Sequence, residues 1–424
     1  IVSALLIHIG ISLYAGATIF EHFFGIEPAY SIIIVAVVTT VYTVLGGLRA
    51  VVVTDSIQAV LLLAGSIVLT VIGIRALPGA GIESFADFKS AIRPGQLSMI
   101  HDLRDASGSL NEYSMVSVLL GYPILGIWYW CTDQTIVQKS LGARSLKDGQ
   151  LGAVFAGVLK ILPVFFMVLP GVVAYVLFRD VIGSDNNSTL QVMIENLLPA
   201  GLKGLFIAGL LAAVMSTVES ALNSIATVTA DDIVRRFRPR TKDSTLVLIG
   251  RITACAVILL AMAWSSQGDK FTSIFEAINK IPMMFAPAIT CVFLFGVFWK
   301  RGTAQAAMTT FIAGSVLGVA YFLLDLPVQC IVGLFFEDPS QRVITDIVGI
   351  PFMQAGWWLF CICCVIYVFT SLLTPAPSRE VFDSMKWQSP VKSIFSGRIT
   401  GPADPRIVSI ALFVLMTVLY YFLR

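Results

Sequence analysis

Lys160 is the only charge within GQLGAVFAGVLKILPVFFMVLPGVVAYVLF (149–178), a run long enough to cross a membrane. An ionisable group at that depth costs roughly 2.5–3.5 kcal/mol on insertion scales, so it persists where it faces a polar cavity or a partner, as along a solute or ion path. The alternative, snorkelling to the headgroups, is harder with about ten apolar residues before it and nearly twenty after. A second polar group lies in FIAGLLAAVMSTVESALNSIATVTADDI. Ala213 and Ser216 are spaced i, i+3 on one helix face, with Thr217 beside them. A carbonyl and two hydroxyls suit a hard cation that takes oxygen ligands. Hydroxyls in membrane helices also simply bond the backbone or a neighbouring helix, and spacing does not separate the two. Glu219 and Ser220 follow, Glu219 being another ionisable residue in an apolar run. Asp55 and Gln58, also i, i+3, open the run 52–75; a first-turn aspartate is the plainer account.

Two further clusters suit an uncharged, hydroxylated ligand. Trp128, Tyr129 and Trp130 are consecutive, so at most two share a helix face; an aromatic ring offers a flat apolar surface and, in tyrosine, a hydroxyl. Sugars need that pairing, although an interfacial aromatic belt would look the same. Gly121, Pro123 and Gly126 precede them and are expected to weaken the helix beside a cavity. Asp133 and Gln134 are read as helix-end groups. Asn279 and Lys280 stand just before Pro282, with Pro287 beyond, so a helix break there would aim the Asn279 amide into a cavity.

The elements that must position these residues are membrane helices. The chain is 57% hydrophobic and 13% charged, against about 25% charged in ordinary soluble domains. Eleven spans are expected, near 1–23, 29–47, 52–75, 114–139, 150–178, 202–229, 245–265, 271–298, 303–324, 355–374 and 406–423. If the first starts in the cytoplasm, the inside segments carry sixteen Lys and Arg, among them Arg235, Arg236, Arg238, Arg240 and Lys242, and Arg424 ends outside. Segments 79–113, 326–354 (Pro327, Pro339, Pro351) and 375–405 (Pro375, Pro377, Pro390, Pro402, Pro405) read as solvated connectors, and Asn186 and Asn187 open overlapping glycosylation sequons on an outside loop. Of seven cysteines only Cys330 is loop-borne, so no disulfide framework is implied. His8, His22 and His101 are scattered, no phosphate-binding glycine loop is present, and a net charge of +2 gives no sign of nucleic acid as a partner. The first residue, Ile1, already lies in an apolar run.

Five stretches together resemble the sodium/solute symporters, most closely their sodium/glucose cotransporter branch. They are TVLGGLRAVVVTDSIQ (43–58), WYWCTDQTIVQK (128–139), LKILPVFFMVLPG (159–171), MSTVESALNSIAT (215–227) and FWKRGTAQAAMTTFIAGSVLG (298–318), in the family's order over almost the full length. The resemblance implies an all-α membrane protein with two inverted five-helix repeats around a midplane site, about eleven of the family's fourteen helices being present. On that reading 1–78 holds helices three to five of the first repeat, 79–113 an extracellular loop and 114–300 the second repeat. The stretch 301–424 then holds peripheral helices with a cytoplasmic loop at 375–405. It further implies that Tyr129 is an inner gate over the sugar, with Trp130 beside it. Lys160 bonds sugar hydroxyls, and Asn279 stands where the branch has a sugar-binding glutamine. Ala213, Ser216 and Thr217 hold sodium, and Asp55, Glu219 and Ser220 form a candidate second sodium or proton site. Asn279, Glu219 (for a Ser or Thr) and Lys280 (for a small polar residue) depart from the pattern.

The expected function is therefore sodium-coupled symport of a sugar or related polyol across the plasma membrane (the inner membrane in a bacterium), with no covalent chemistry and hence no enzyme. The rival readings are the same fold carrying another solute, such as sialic acid or an amino acid, and a transporter-like sugar sensor.

Overall fold

The computed structural model describes residues 2–104, 108, 110–111, 113–183, 188–266, 278–325, 342–378, 380, 399 and 401–422. The sequons at Asn186 and Asn187, Cys330, Pro327, Pro339 and Pro390 lie outside them, as do the first residues of the span expected at 271–298. Among the described residues the protein is helical. Nine helices are long and apolar enough to cross a membrane, and two bent pairs bring the number to eleven if each pair is one span, in agreement with the spans read from the sequence.

The helices are α1 (Val2–Phe24), α2 (Pro28–Gly47), α3 (Ala50–Ala80), α4 (Met115–Cys131), α5 (Gln134–Leu141), α6 (Leu146–Ile182), α7 (Ala200–Phe237), α8 (Asp243–Ser265), α9 (Ile278–Met284), α10 (Ala286–Phe298), α11 (Ala304–Leu324), α12 (Phe352–Leu373) and α13 (Pro405–Phe422). α4 and α5 bend by 48°, α9 and α10 by 58°. Gly47 separates α2 from α3 with φ 60° and ψ −167°, a backbone state open to glycine.

Two compact units divide the chain, one drawn from 1–97, 142–144 and 151–278, the other from 98–141, 145–150 and 279–424. In the first, Val218, Ala221, Leu222 and Ile225 recur at helical spacing on α7 and pack with Ile9 and Leu13 of α1, Val35 and Ala36 of α2 and Val257 and Ala261 of α8. That apolar stripe fixes the rotation of α7 and leaves Ser216 and Glu219 toward α3, which the bonds below show. Segment 79–113 is more than a connector: Ser84 and Asp87 form a capping box for a helix at Phe85–Ala91, whose Phe88 packs with Leu77 and Val173. The Ser84 hydroxyl and amide hold the Asp87 carboxyl below the usual carboxylate range.

In the second unit, Leu125, Met283, Ala286, Tyr321, Phe352 and Met353 form a core joining α4, α9, α10, α11 and α12. Gly121, Pro123 and Gly126 do not break α4, which runs on through Pro123. A Cβ on Gly121 would come within 2.7 Å of the Met353 carbonyl, so this glycine serves close packing on α12 rather than a cavity. The bend falls later, at Thr132–Asp133. There Asp133, buried, accepts from the Thr135 amide at 2.8 Å and from the Thr135 hydroxyl, capping α5. Gly314 and Gly318, spaced i, i+4 on α11, face Ala288 and the Met284 carbonyl and allow the backbones to touch.

Candidate functional site

Across α3 and α7 the first unit gathers most of the expected cation ligands. Ser216 Oγ donates to Asp55 Oδ1 in a short hydrogen bond. One turn on, Glu219 is fully buried, and its Oε1 accepts from Thr54 Oγ1 at 3.0 Å. Glu219 Oε2 and the Tyr42 hydroxyl are both buried, and the two side chains stand side by side. Thr217 Oγ1 donates to the Ala213 carbonyl at 3.3 Å, so this oxygen pair is closed on itself. Ser220 is buried one turn from Ser216, and its carbonyl accepts from Ser224 at 2.8 Å. Asp55, Ser216 and Glu219 thus meet in one polar nest. Tyr42 and Thr54 belong to it and were not singled out in the sequence, although Thr54 adjoins Asp55 in VVVTDSIQ.

What this nest offers chemically is a set of oxygens: two carboxylates, three hydroxyls and the Ala213 carbonyl nearby. Such a set fits a hard, weakly polarising cation. No group of three or more His, Cys, Asp and Glu with metal-binding geometry occurs among the described residues, so a transition-metal centre is not what this nest resembles. Farther along α7, Asn223 and Thr227 continue the polar spacing of Ser216 and Ser220. They border a cavity of about 480 Å³ whose wall includes Thr43, Gly47, Asp231, Arg235 and Arg251. Arg235 is held there by Asp231 at 3.1 Å and Asp243 at 2.8 Å.

Lys160 sits at a helix break. Pro163 supplies no amide for the Leu159 carbonyl, the chain turns at 160–161, and a π-helical turn follows at Val164–Val168. Pro170 likewise leaves the Phe166 carbonyl without its helical donor, and Thr70 of α3 reaches it at 3.5 Å. The Lys160 side chain is exposed rather than enclosed in its unit, so the described structure does not supply the cavity wall expected around it.

In the second unit Trp128 turns toward the core, while Tyr129 is half-buried and Trp130 is 40% exposed. The Tyr129 and Trp130 rings meet edge-on, 5.3 Å apart at 86°. This arrangement fits the expectation that the three aromatics cannot share a face. Asn279 is half-buried on α9, six residues ahead of the bend at Phe285. Lys280 is the largest change from expectation: it is 2% exposed and paired at 2.7 Å with Asp325, 0% exposed. No sequence signal pointed to Asp325, which lies 45 residues away at the end of an apolar run.

Comparison with known proteins adds relatives to this geometry. The pattern of the Sodium:solute symporter family matches residues 1–314. A sodium/mannose cotransporter of Bos taurus is 30% identical over 424 residues, covering 93% of this chain and 69% of that protein. A sodium/myo-inositol cotransporter 2 of Oryctolagus cuniculus is 30% identical over 410 residues, covering 89% of this chain and 59% of that one. A sodium/glucose cotransporter 1 of Oryctolagus cuniculus is 28% identical, covering 88% and 60% respectively. Among solved structures, a sodium-coupled sialic acid symporter in a substrate-bound outward-open state matches with a TM-score of 0.68 and 19% identity, covering 89% of this chain and 74% of that one. The chain thus spans roughly three-fifths to two-thirds of the length of these cotransporter relatives.

Proposed function

Since the chain belongs to the sodium:solute symporter family, we propose that it works in sodium-coupled symport of a neutral, polyhydroxylated solute, a sugar or polyol, by alternating access across the cell membrane. The observation that carries this reading is the Asp55–Ser216 bond between two long apolar helices, beside Ala213 and Thr217. Oxygen ligands placed there, with a carboxylate at hand, suit one sodium ion. The first cation uses the Ala213 carbonyl and the hydroxyls of Ser216 and Thr217. Asp55, Glu219 and Ser220 form a second polar position that modulates it. Ser220, Asn223 and Thr227, at helical spacing toward the cavity, supply oxygens along a release route. With the C-terminus outside, one charge moving inward through 100 mV releases about 2.3 kcal/mol, roughly fifty-fold of solute accumulation.

For the solute, Tyr129 and Trp130 offer ring faces and a hydroxyl, and Asn279 an amide. Lys160 is assigned by resemblance to the family alone. The cation next to Asn279 is already neutralised by Asp325, which supports a neutral solute over a carboxylate. The cotransporter relatives for mannose, myo-inositol and glucose support the same class. The test is uptake of a labelled panel of hexoses and polyols by cells expressing the whole protein, with sodium or choline outside. Uptake of at least one of them that needs sodium supports the reading; saturable binding without uptake would replace it with a sensor.

A further inference from the structure

Lys280 and Asp325 form an ion pair whose surroundings fit a register pin better than a stabilising contact. Lys280 Nζ lies 2.7 Å from Asp325 Oδ2 and donates to the Asp325 carbonyl at 2.8 Å. Asp325 Oδ1 accepts from the Thr345 amide at 2.8 Å, and Oδ2 from the Thr345 hydroxyl at 2.8 Å. One carboxylate therefore ties together α9, the end of α11 and the turn Val343–Ile347. Desolvation offsets most of the attraction in a pair buried this deeply, so apolar residues of similar volume would hold the helices together about as well. They would not hold a helix at a fixed height and rotation. α9 needs that: past Lys280 it tightens into a 3₁₀ turn, Pro282–Met284, and then bends by 58°. Pro282 and Pro287 also withhold amides from its hydrogen bonding. Two contacts with α11 anchor it, the Met284 carbonyl against Gly318 and Lys280 on Asp325, two helical turns further along.

We propose that the Lys280–Asp325–Thr345 network is a positioning device for solute selection: by anchoring the adjoining residue, it sets where Asn279 presents its amide. This rests on the reading above, in which Asn279 meets the solute. Lys280 is a positioning residue here, its ammonium spent on a carboxylate and a carbonyl inside the helix packing. Its place beside Asn279, where the resembling family has a small polar residue, then has a mechanical reason, with Asp325 as its partner.

Removing one partner strands a buried charge, so Lys280→Met or Asp325→Leu alone is expected to depress surface expression. The informative protein is the double variant Lys280→Met/Asp325→Leu, in which both charges leave together and the volume stays filled. Its expected behaviour is near-normal surface expression, with apparent KM for the preferred solute raised about fivefold and a changed rank order among hexoses and polyols, as follows when a buried polar ligand is misplaced. Half-maximal sodium should stay within about twofold, because the cation nest lies on other helices. Unchanged solute KM and rank order in the double variant overturn the proposal. Thr345→Val covers the case in which that variant does not reach the surface: it keeps the ion pair and removes one donor to Asp325. A solute KM raised about twofold to threefold with sodium dependence unchanged supports the network; wild-type selectivity in Thr345→Val overturns it. Absence of sodium-dependent uptake in the unaltered protein overturns the parent reading, and this inference with it.

Discussion

Replacing Ser216 with alanine removes one oxygen from the proposed sodium position and the donor to Asp55. An interaction of a hydroxyl with a charged partner is worth about 1.5–3 kcal/mol. At 1.4 kcal/mol per decade this corresponds to roughly 10- to 150-fold in sodium affinity. Asp55 loses that one donor in the same step and can move closer to the ion, which offsets part of the loss and favours the lower end. The expected result is a rise of about tenfold in half-maximal sodium at saturating solute, with little change in maximal rate once sodium is raised. Folding should not confuse the measurement: Ser216 is only half-buried, and alanine is the better helix former by a few tenths of a kcal/mol. The assay is sodium-dependent solute uptake or transport current, normalised to surface protein. A cycle with Asp55→Asn adds a second constraint, since residues in direct contact should couple by about 0.5 kcal/mol or more. Half-maximal sodium within about twofold of wild type in Ser216→Ala, with normal expression, would refute the assignment of sodium to this nest.

Lys160→Ala should weaken apparent solute affinity while leaving surface expression near normal, because truncating an exposed side chain opens no cavity; equal affinity in a concentration series removes it from the solute site. Asn279→Gln lengthens the amide by one methylene and should shift relative affinities among hexoses and polyols by about threefold or more, with sodium dependence little changed; competition uptake measures this, and an untouched rank order moves Asn279 away from the solute. Gly318→Ala drives a methyl group onto the Met284 carbonyl, a backbone atom that cannot step aside, and should cost most of the surface expression and lower the melting temperature of the purified protein; normal expression would mean that α9 and α11 do not touch here.

The helices were legible in the sequence because apolar length alone reports them, and one bend was signalled by Pro282 and Pro287, whereas the bend after Cys131 was not, weakness having been expected earlier, at Gly121, Pro123 and Gly126. The cation nest was half legible. Ala213, Ser216 and Thr217 could be grouped from spacing on α7, and Asp55 from resemblance. That Ser216 faces Asp55 and Glu219 faces Thr54 depends on how α3 packs along α7, which is decided by Val218, Leu222 and Ile225 seating against α1, α2 and α8. Tyr42 was out of reach for the same reason, since it enters the nest from a third helix. Gly121 shows the opposite error: a glycine beside a proline looked like a broken helix, yet its use is to let the Met353 backbone close in. Lys280 needed an acid, and the sequence offered no local one; the partner came from the end of another helix.

Purified protein in liposomes, with sodium high outside and low inside and a potassium diffusion potential negative inside, tests the central claim most directly. The account predicts that a labelled hexose or polyol rises inside above its external concentration, and that the excess drains away when a sodium ionophore collapses the gradient. Entry that stops at equal concentrations, or accumulation that is indifferent to sodium, would contradict it.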